Sequence, residues 1–159
     1  MFSSKSDEWE TPQDLFDKLN NVFNFTLDPC STDENHKCDK YYTIKDDGLS
    51  KCWKGETIFV NPPYGNSLKH WVKKCYEESK YAKIVMLIPA RTDTHYQHEY
   101  IFKYAKAICY IRGRLKFINK LNKKELSAPF PSQIVVFADN ITKEQEETLS
   151  SLGRLILLK

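Results

Sequence analysis

The 159-residue sequence has no apolar run near the ~18 to 20 consecutive residues that a membrane-spanning helix requires. Its opening, MFSSKSDEWETPQ, lacks the basic-then-apolar order of a secretory signal, so a cytosolic (cytoplasmic) protein without a membrane partner is expected. Five cysteines (Cys30, Cys38, Cys52, Cys75 and Cys109) form an odd set with no C-x-x-C pair, which argues against a disulfide framework, a zinc ribbon and a thioredoxin-like redox site. A metal site built from Cys30, His36, Cys38 and Cys52 would need irregular ligand spacing, and no metal is expected. The histidines are scattered, and none is given a catalytic role. Internal repeats and low-complexity tracts are also lacking. The length suits a single domain over 1–159, able to bury about 70% of the surface its unfolded chain would expose.

The net charge of +3 conceals an asymmetry. Residues 1–60 hold seven basic against twelve acidic side chains, whereas residues 101–126 hold eight basic against one. That stretch contains Lys103, Lys106, Arg112, Arg114, Lys116, Lys120, Lys123 and Lys124, opposed only by Glu125. Such a concentration is a candidate polyanion-contacting surface; the alternative is a solvated lysine-rich loop.

Helical and strand signals alternate along the chain. Thr11-Pro12 reads as an N-cap followed by a first-turn proline, and Leu15, Phe16, Leu19, Val22 and Phe23 recur at helical spacing. Residues 25–28 read as a short strand ending at Pro29, and residues 30–55 as mostly loop. Strands are expected at 57–60, 84–88, 107–111 and 134–137, with further candidates at 114–118 and 155–158. Helices are expected from Leu68 to about Tyr76, from a Thr94/Gln97 capping box to about Tyr104, and after a Thr142/Gln145 capping box. The continuous apolar run at 84–88 predicts a central strand covered on both faces. The pattern implies an α/β fold with a mostly parallel central sheet and helices on both faces, antiparallel strands entering at the end. Such sheets bind ligands beyond the carboxyl ends of their strands.

The most informative segment is Asn61-Pro62-Pro63-Tyr64, directly after the strand at 57–60. Two prolines fix their φ angles and remove two donors, giving a stiff extended corner at the sheet edge. The Asn61 side-chain oxygen and the Pro62 carbonyl can then accept hydrogen bonds from one NH2 group, while Tyr64 offers an aromatic face to the ring that carries it. An exocyclic amine such as that of adenine is a poor nucleophile because its lone pair is delocalised. Two fixed acceptors would favour the pyramidal, more reactive nitrogen. Taken alone, the tetrapeptide is also a competent strand-terminating turn.

The sequence resembles the amino-methyltransferases that use S-adenosylmethionine and carry a catalytic N-P-P-Y turn. More closely, it resembles the compact phage-type DNA N6-adenine methyltransferases of the Dam-like family. The resemblance runs in order through Trp9 to Pro12, Leu27 to Cys30, Asp47-Gly48-Leu49 with Trp53, Phe59 to Gly65, Leu87 to Thr94, Gly113 to Phe117 and Ala128 to Ser132. It implies a Rossmann-like methyltransferase fold, catalytic roles for Asn61, Pro62, Pro63 and Tyr64, and S-adenosylmethionine as cofactor. Asp28, Pro29 and Cys30 look like the segment that holds the methionine end. Trp9, Thr11 and Pro12 look like a lining of the same pocket, and Asp47 like a contact to the cofactor adenine or ribose, with Asp46 as competitor. The glycine-rich loop that many such enzymes carry after the first strand is missing from Asp28 to Thr32.

On the substrate side, the resemblance implies DNA, with Phe117 as a second aromatic contact beside Tyr64, or else a core phenylalanine. Arg112, Arg114 and Lys116 would meet phosphates, and Arg91 would meet DNA or orient the Asn61 turn, unless it pairs with Asp93. The reading is methyl transfer to adenine N6 in DNA without a covalent enzyme intermediate. Residues 112–131 would be a DNA-contacting insertion, on a monomer or weak homodimer. Rival readings keep the turn but change the acceptor to an RNA adenine, cytosine N4 or a protein glutamine, or drop catalysis for a nucleic-acid-binding module.

Overall fold

The computed structural model describes residues 9–118 and 124–158; Lys120 and Lys123 of the basic stretch lie outside them. The chain runs α1 (Gln13–Phe23), β1 (Leu27–Asp28), β2 (Lys40–Tyr41), β3 (Thr57–Val60), α2 (Leu68–Glu78) and β4 (Lys83–Pro89). A π-helical turn (Gln97–Ile101) continuing into α3 (Phe102–Tyr104) follows, then β5 (Ala107–Ile111), β6 (Lys116–Ile118), β7 (Glu125–Ser127), β8 (Ser132–Phe137), α4 (Lys143–Leu152) and β9 (Gly153–Leu157).

Seven strands form one sheet in the order β2-β1-β3-β4-β8-β5-β9. β1 to β4 pair in parallel, and β8 runs antiparallel to both β4 and β5, so β5 points the same way as β1 to β4. Five of the seven strands thus end at one edge, and that edge holds Asp28, Asn61, Pro89 to Arg91 and Arg112. The expected final strand exists as β9, antiparallel on β5 at the margin.

The two-residue alternation of the strands divides the core. Phe59, Val85, Leu87, Ile134 and Val136 point to one face, where Leu15, Phe16 and Leu19 of α1 and Leu149 of α4 cover them. Ile58, Val60, Ile84, Met86 and Val135 point to the other, under Leu68, Trp71, Val72 and Cys75 of α2 and Ile101. β4, buried from Ile84 onward, is the strand covered on both sides that its apolar run predicts. The Thr142/Gln145 capping box forms as expected.

Two expected caps do not form. Pro12, not Thr11, occupies the cap position of α1, with no side-chain capping bond; the buried Thr11 hydroxyl instead accepts from Asn61. Likewise, the Thr94 hydroxyl donates to the Arg91 carbonyl, while the fully buried Gln97 side chain pairs reciprocally with Gln133. Gln133 Nε2 also donates to the Pro89 carbonyl at 3.1 Å. Tertiary pairing of two buried amides outweighs a local cap here, and it braces the end of β4 beside the candidate site. The segment 30–55 is mostly loop as expected but adds β2 and a short 3-10 turn at Gly48–Ser50. Within 112–131, β6 and β7 pair as an antiparallel hairpin.

Gln133→Leu should cost about 2 to 3 kcal/mol, because it strands the Gln97 amide and the Pro89 carbonyl in a dry environment. Gln97→Leu/Gln133→Leu should lose less stability than the two single substitutions combined. Urea unfolding checks this; strictly additive losses would show that the amides act independently.

Candidate active site

β3 stops at Val60 because Pro62 and Pro63 cannot donate to a continuing ladder, and the chain turns at the edge where β1, β4 and β5 also end. The Asn61 amide is held on both sides. Its Nδ2 donates to the Trp9 carbonyl at 2.5 Å and to Thr11 Oγ1 at 2.8 Å, and its Oδ1 accepts from the Tyr64 hydroxyl at 2.6 Å. Both amide hydrogens are therefore used, while Oδ1 retains one lone pair. Arg91 Nη1 donates to the Tyr64 carbonyl at 3.1 Å and holds the far end of the turn.

A cavity of about 580 Å³ opens beside this turn, within the range of small-molecule sites. Asn61, Pro62 and Pro63 form one wall, Trp9 and Thr11 a second, and the chain after β1 with Asp47 and Gly48 a third. Gly48 is needed for that third wall, since a Cβ there would lie 2.2 Å from the Pro29 carbonyl oxygen. Five carboxylates line the cavity (Glu10, Asp28, Asp33, Glu34 and Asp47) against two lysines, Lys37 and Lys45. The surplus suits a ligand with positive charge.

Asp28, 5% exposed, is the deepest of these acids. Its carboxylate accepts backbone N–H bonds from Lys37 at 2.9 Å and Cys30 at 3.4 Å, yet burial dominates and pushes its pKa up to about 6 from 3.8. The folded state thus binds this proton more tightly than the unfolded chain does. The group favours folding at low pH, and that contribution is lost as pH rises through about 6, where the carboxylate must be held ionised. Among the described residues Asp28 makes no ion pair, and Lys37 and His36 offset its burial only in part, so it is a natural counter-charge for a cationic ligand. Between the neighbouring aspartates the structure distinguishes plainly. Asp46 Oδ2 accepts from the Thr43 N–H and hydroxyl in a tight turn, whereas Asp47, left-handed at φ 57°, lines the cavity.

The expected residues fall into three groups. Trp9, Thr11, Asp28, Pro29, Cys30, Asp47, Asn61, Pro62 and Pro63 meet at the cavity; Pro12 adjoins it without lining it. Tyr64 stands outside it: the ring is 4% exposed and packs edge-on against Phe130, with centroids 5.5 Å apart. The expected stacking face is therefore covered, and burial also pushes the phenol pKa up. Phe117 is core, 1% exposed and edge-on against Trp9, so it offers no surface contact to a base. Arg91, Arg112, Arg114 and Lys116 are exposed; Arg114 also donates to the Ala128 carbonyl at the hairpin base. No ion pair joins Arg91 to Asp93 among the described residues, and Arg91 braces the turn instead.

Sequence reasoning missed Phe130, Lys37 and Gly48. Phe130 stands between Pro129 and Pro131, a stiff tripeptide that could have marked it, and it touches both Trp9 and Tyr64. Gly48 appeared only within the Asp47-Gly48-Leu49 segment of the resemblance, with no role given to it. Lys37, which gives its N–H to Asp28, carries no local signature. Among the described residues no group of His, Cys, Asp or Glu is placed to hold a metal ion, and no helix is long and apolar enough to cross a membrane.

The chain is similar to known methyltransferases. A DNA N-6-adenine-methyltransferase from Haemophilus phage HP1 is 30% identical over 137 residues, covering 84% of this chain and 79% of its own. One from Escherichia phage T1 is 32% identical over 91 residues, covering 55% of this chain and 38% of its own. A crystal structure of a protein assigned as an RNA methyltransferase from Pyrococcus horikoshii superposes with a TM-score of 0.52 at 12% identity, over 89% of this chain and 91% of that one. That likeness supports the Rossmann-like methyltransferase fold. The sequence profile of the DNA N-6-adenine-methyltransferase (Dam) family matches residues 1–155, and the chain belongs to that family.

Proposed function

We propose that the chain methylates adenine N6 in DNA at the Asn61 turn, with S-adenosylmethionine as the methyl donor. The observation that carries this reading is the pinned Asn61 amide, set with Pro62 in the wall of an acidic cavity. Family membership assigns the acceptor as DNA adenine rather than RNA or glutamine. The cavity suits the cofactor: an excess of carboxylates faces a molecule bearing a sulfonium and an ammonium, and the buried Asp28 makes no ion pair among the described residues.

Bound S-adenosylmethionine supplies an electrophilic sulfonium methyl. Asp28 and the backbone of Pro29 and Cys30 would hold the charged end, and Asp47, on the same wall, would face the remainder. Asn61 Oδ1 and the Pro62 carbonyl accept from the adenine amine and favour its pyramidal form, so its lone pair leaves ring conjugation. The adenine must first rotate out of the duplex, at a cost of a few kcal/mol. Its ring can stack on Tyr64 only when Phe130 leaves its edge-on contact, so base entry displaces Phe130. Arg91, Arg112, Arg114 and Lys116 neutralise phosphates around the edge, with 112–131 acting as the DNA-contacting insertion.

With labelled cofactor and unmethylated DNA, the product nucleoside should be N6-methyldeoxyadenosine. Asn61→Ala should slow transfer by about 100-fold or more while cofactor affinity changes little. Wild-type transfer by that variant, or label on cytosine, would contradict the assignment. Cofactor affinity should be level above about pH 7 and weaken as Asp28 takes up its proton, by about tenfold per pH unit below 6. Asp28→Asn should bind more weakly with that dependence gone; calorimetric titration showing the same slope in both proteins would remove Asp28 from the site.

A further inference from the structure

The three partners of the Asn61 amide are not equivalent. Tyr64 and Thr11 offer hydroxyls, each able to donate or accept. If the amide turned over, the Tyr64 hydroxyl would accept from Nδ2 and still donate to the Leu87 carbonyl, 3.1 Å away. Thr11 would donate to Oδ1. Neither residue selects which end of the amide faces the target nitrogen. The third partner, the Trp9 carbonyl, can only accept, and at 2.5 Å it tolerates Nδ2 and repels Oδ1. A turned amide would present an NH2 to an NH2, two donors facing each other, and could not polarise the amine.

The polarity of the catalytic amide therefore depends on where the Trp9 carbonyl sits. Trp9 belongs to the segment ahead of α1, and three contacts to residues outside the cofactor cavity place it. Its indole is edge-on to Phe117 at 5.3 Å and to Phe130 at 5.4 Å, and its neighbour Glu10 makes a β-bridge to Ile118. Phe117 and Ile118 belong to β6 of the basic hairpin. Phe130 precedes β8 and covers Tyr64.

We infer that Trp9 is a positioning residue: seated between Phe117 and Phe130, it sets the direction of the Asn61 amide and couples the DNA-contacting hairpin to the reacting amine. This rests on the proposed methyl transfer, and it assigns buried Phe117 a role without any contact to a base. DNA that engages the hairpin, or a base that displaces Phe130, acts directly on the residue that orients Asn61.

The test compares Trp9→Ala, Trp9→Phe and Phe117→Leu in single-turnover methyl transfer at saturating DNA and cofactor, with cofactor Kd and thermal midpoint measured on each protein. Trp9→Ala should lower the rate constant by about tenfold or more, the worth of one misdirected hydrogen bond. Trp9→Phe, which keeps an aromatic ring for the same seat, should recover most of it. Phe117→Leu, behind Trp9 and not lining the cavity, should lower the rate constant severalfold with cofactor Kd unchanged, and it carries the test if Trp9→Ala fails to fold. Wild-type rate constants in Trp9→Ala or Phe117→Leu, or a loss that vanishes once cofactor is saturating, would overturn the inference. An unmodified protein that transfers no methyl group would instead overturn the function proposed above.

Discussion

One side-chain amide organises the site. Asn61 needs both its donors satisfied so that its single oxygen can face the cavity with a lone pair to spare, and no single element could supply that arrangement. A backbone carbonyl ahead of α1, a hydroxyl at the start of α1 and the phenol three residues on all converge on it. Thr11 is buried for this reason, and Tyr64 is drawn inward by its hydroxyl rather than left outward by its ring. The strand order makes the convergence available: β1, β3, β4 and β5 end together, and the antiparallel β8 returns the Phe130 loop to the same edge.

The electrostatics follow the same division of labour. In the proposed reading the acceptor side is neutral, built from an amide and a carbonyl, and the acidic surplus lies on the cavity side, with Asp28 deepest. Positive charge lies on the outer edge and the hairpin, where a polyanion would approach. The chain thus separates a compartment suited to a cation from a surface suited to phosphate, with the Asn61 turn between them.

Much of the fold was legible because its signals are local. Apolar runs marked β3, β4, β5 and β8, and the helical stripe from Leu68 marked α2, because strand and helix periods dictate which side chains reach the core. The two capping readings at Thr11 and Thr94 failed for a shared reason: a hydroxyl or amide with a cap-like spacing was recruited by a partner 36 or more residues away. Of the candidate site, the Asn61 turn and Asp28 could be named from motif order. The covering of Tyr64 by Phe130 could not, and Phe117 was left open between base contact and core, since both depend on how the hairpin folds back, and β7 carries no apolar period: all three of its residues are exposed. The choice between Asp46 and Asp47 required the turn geometry itself.

The most direct measurement is a structure of the protein with unreactive cofactor analogue and adenine-containing duplex DNA. The account predicts a flipped adenine with N6 within about 3 Å of both Asn61 Oδ1 and the Pro62 carbonyl, and Asn61 Nδ2 still bonded to Trp9. An adenine bound elsewhere, or an Asn61 amide presenting its nitrogen to N6, would contradict it.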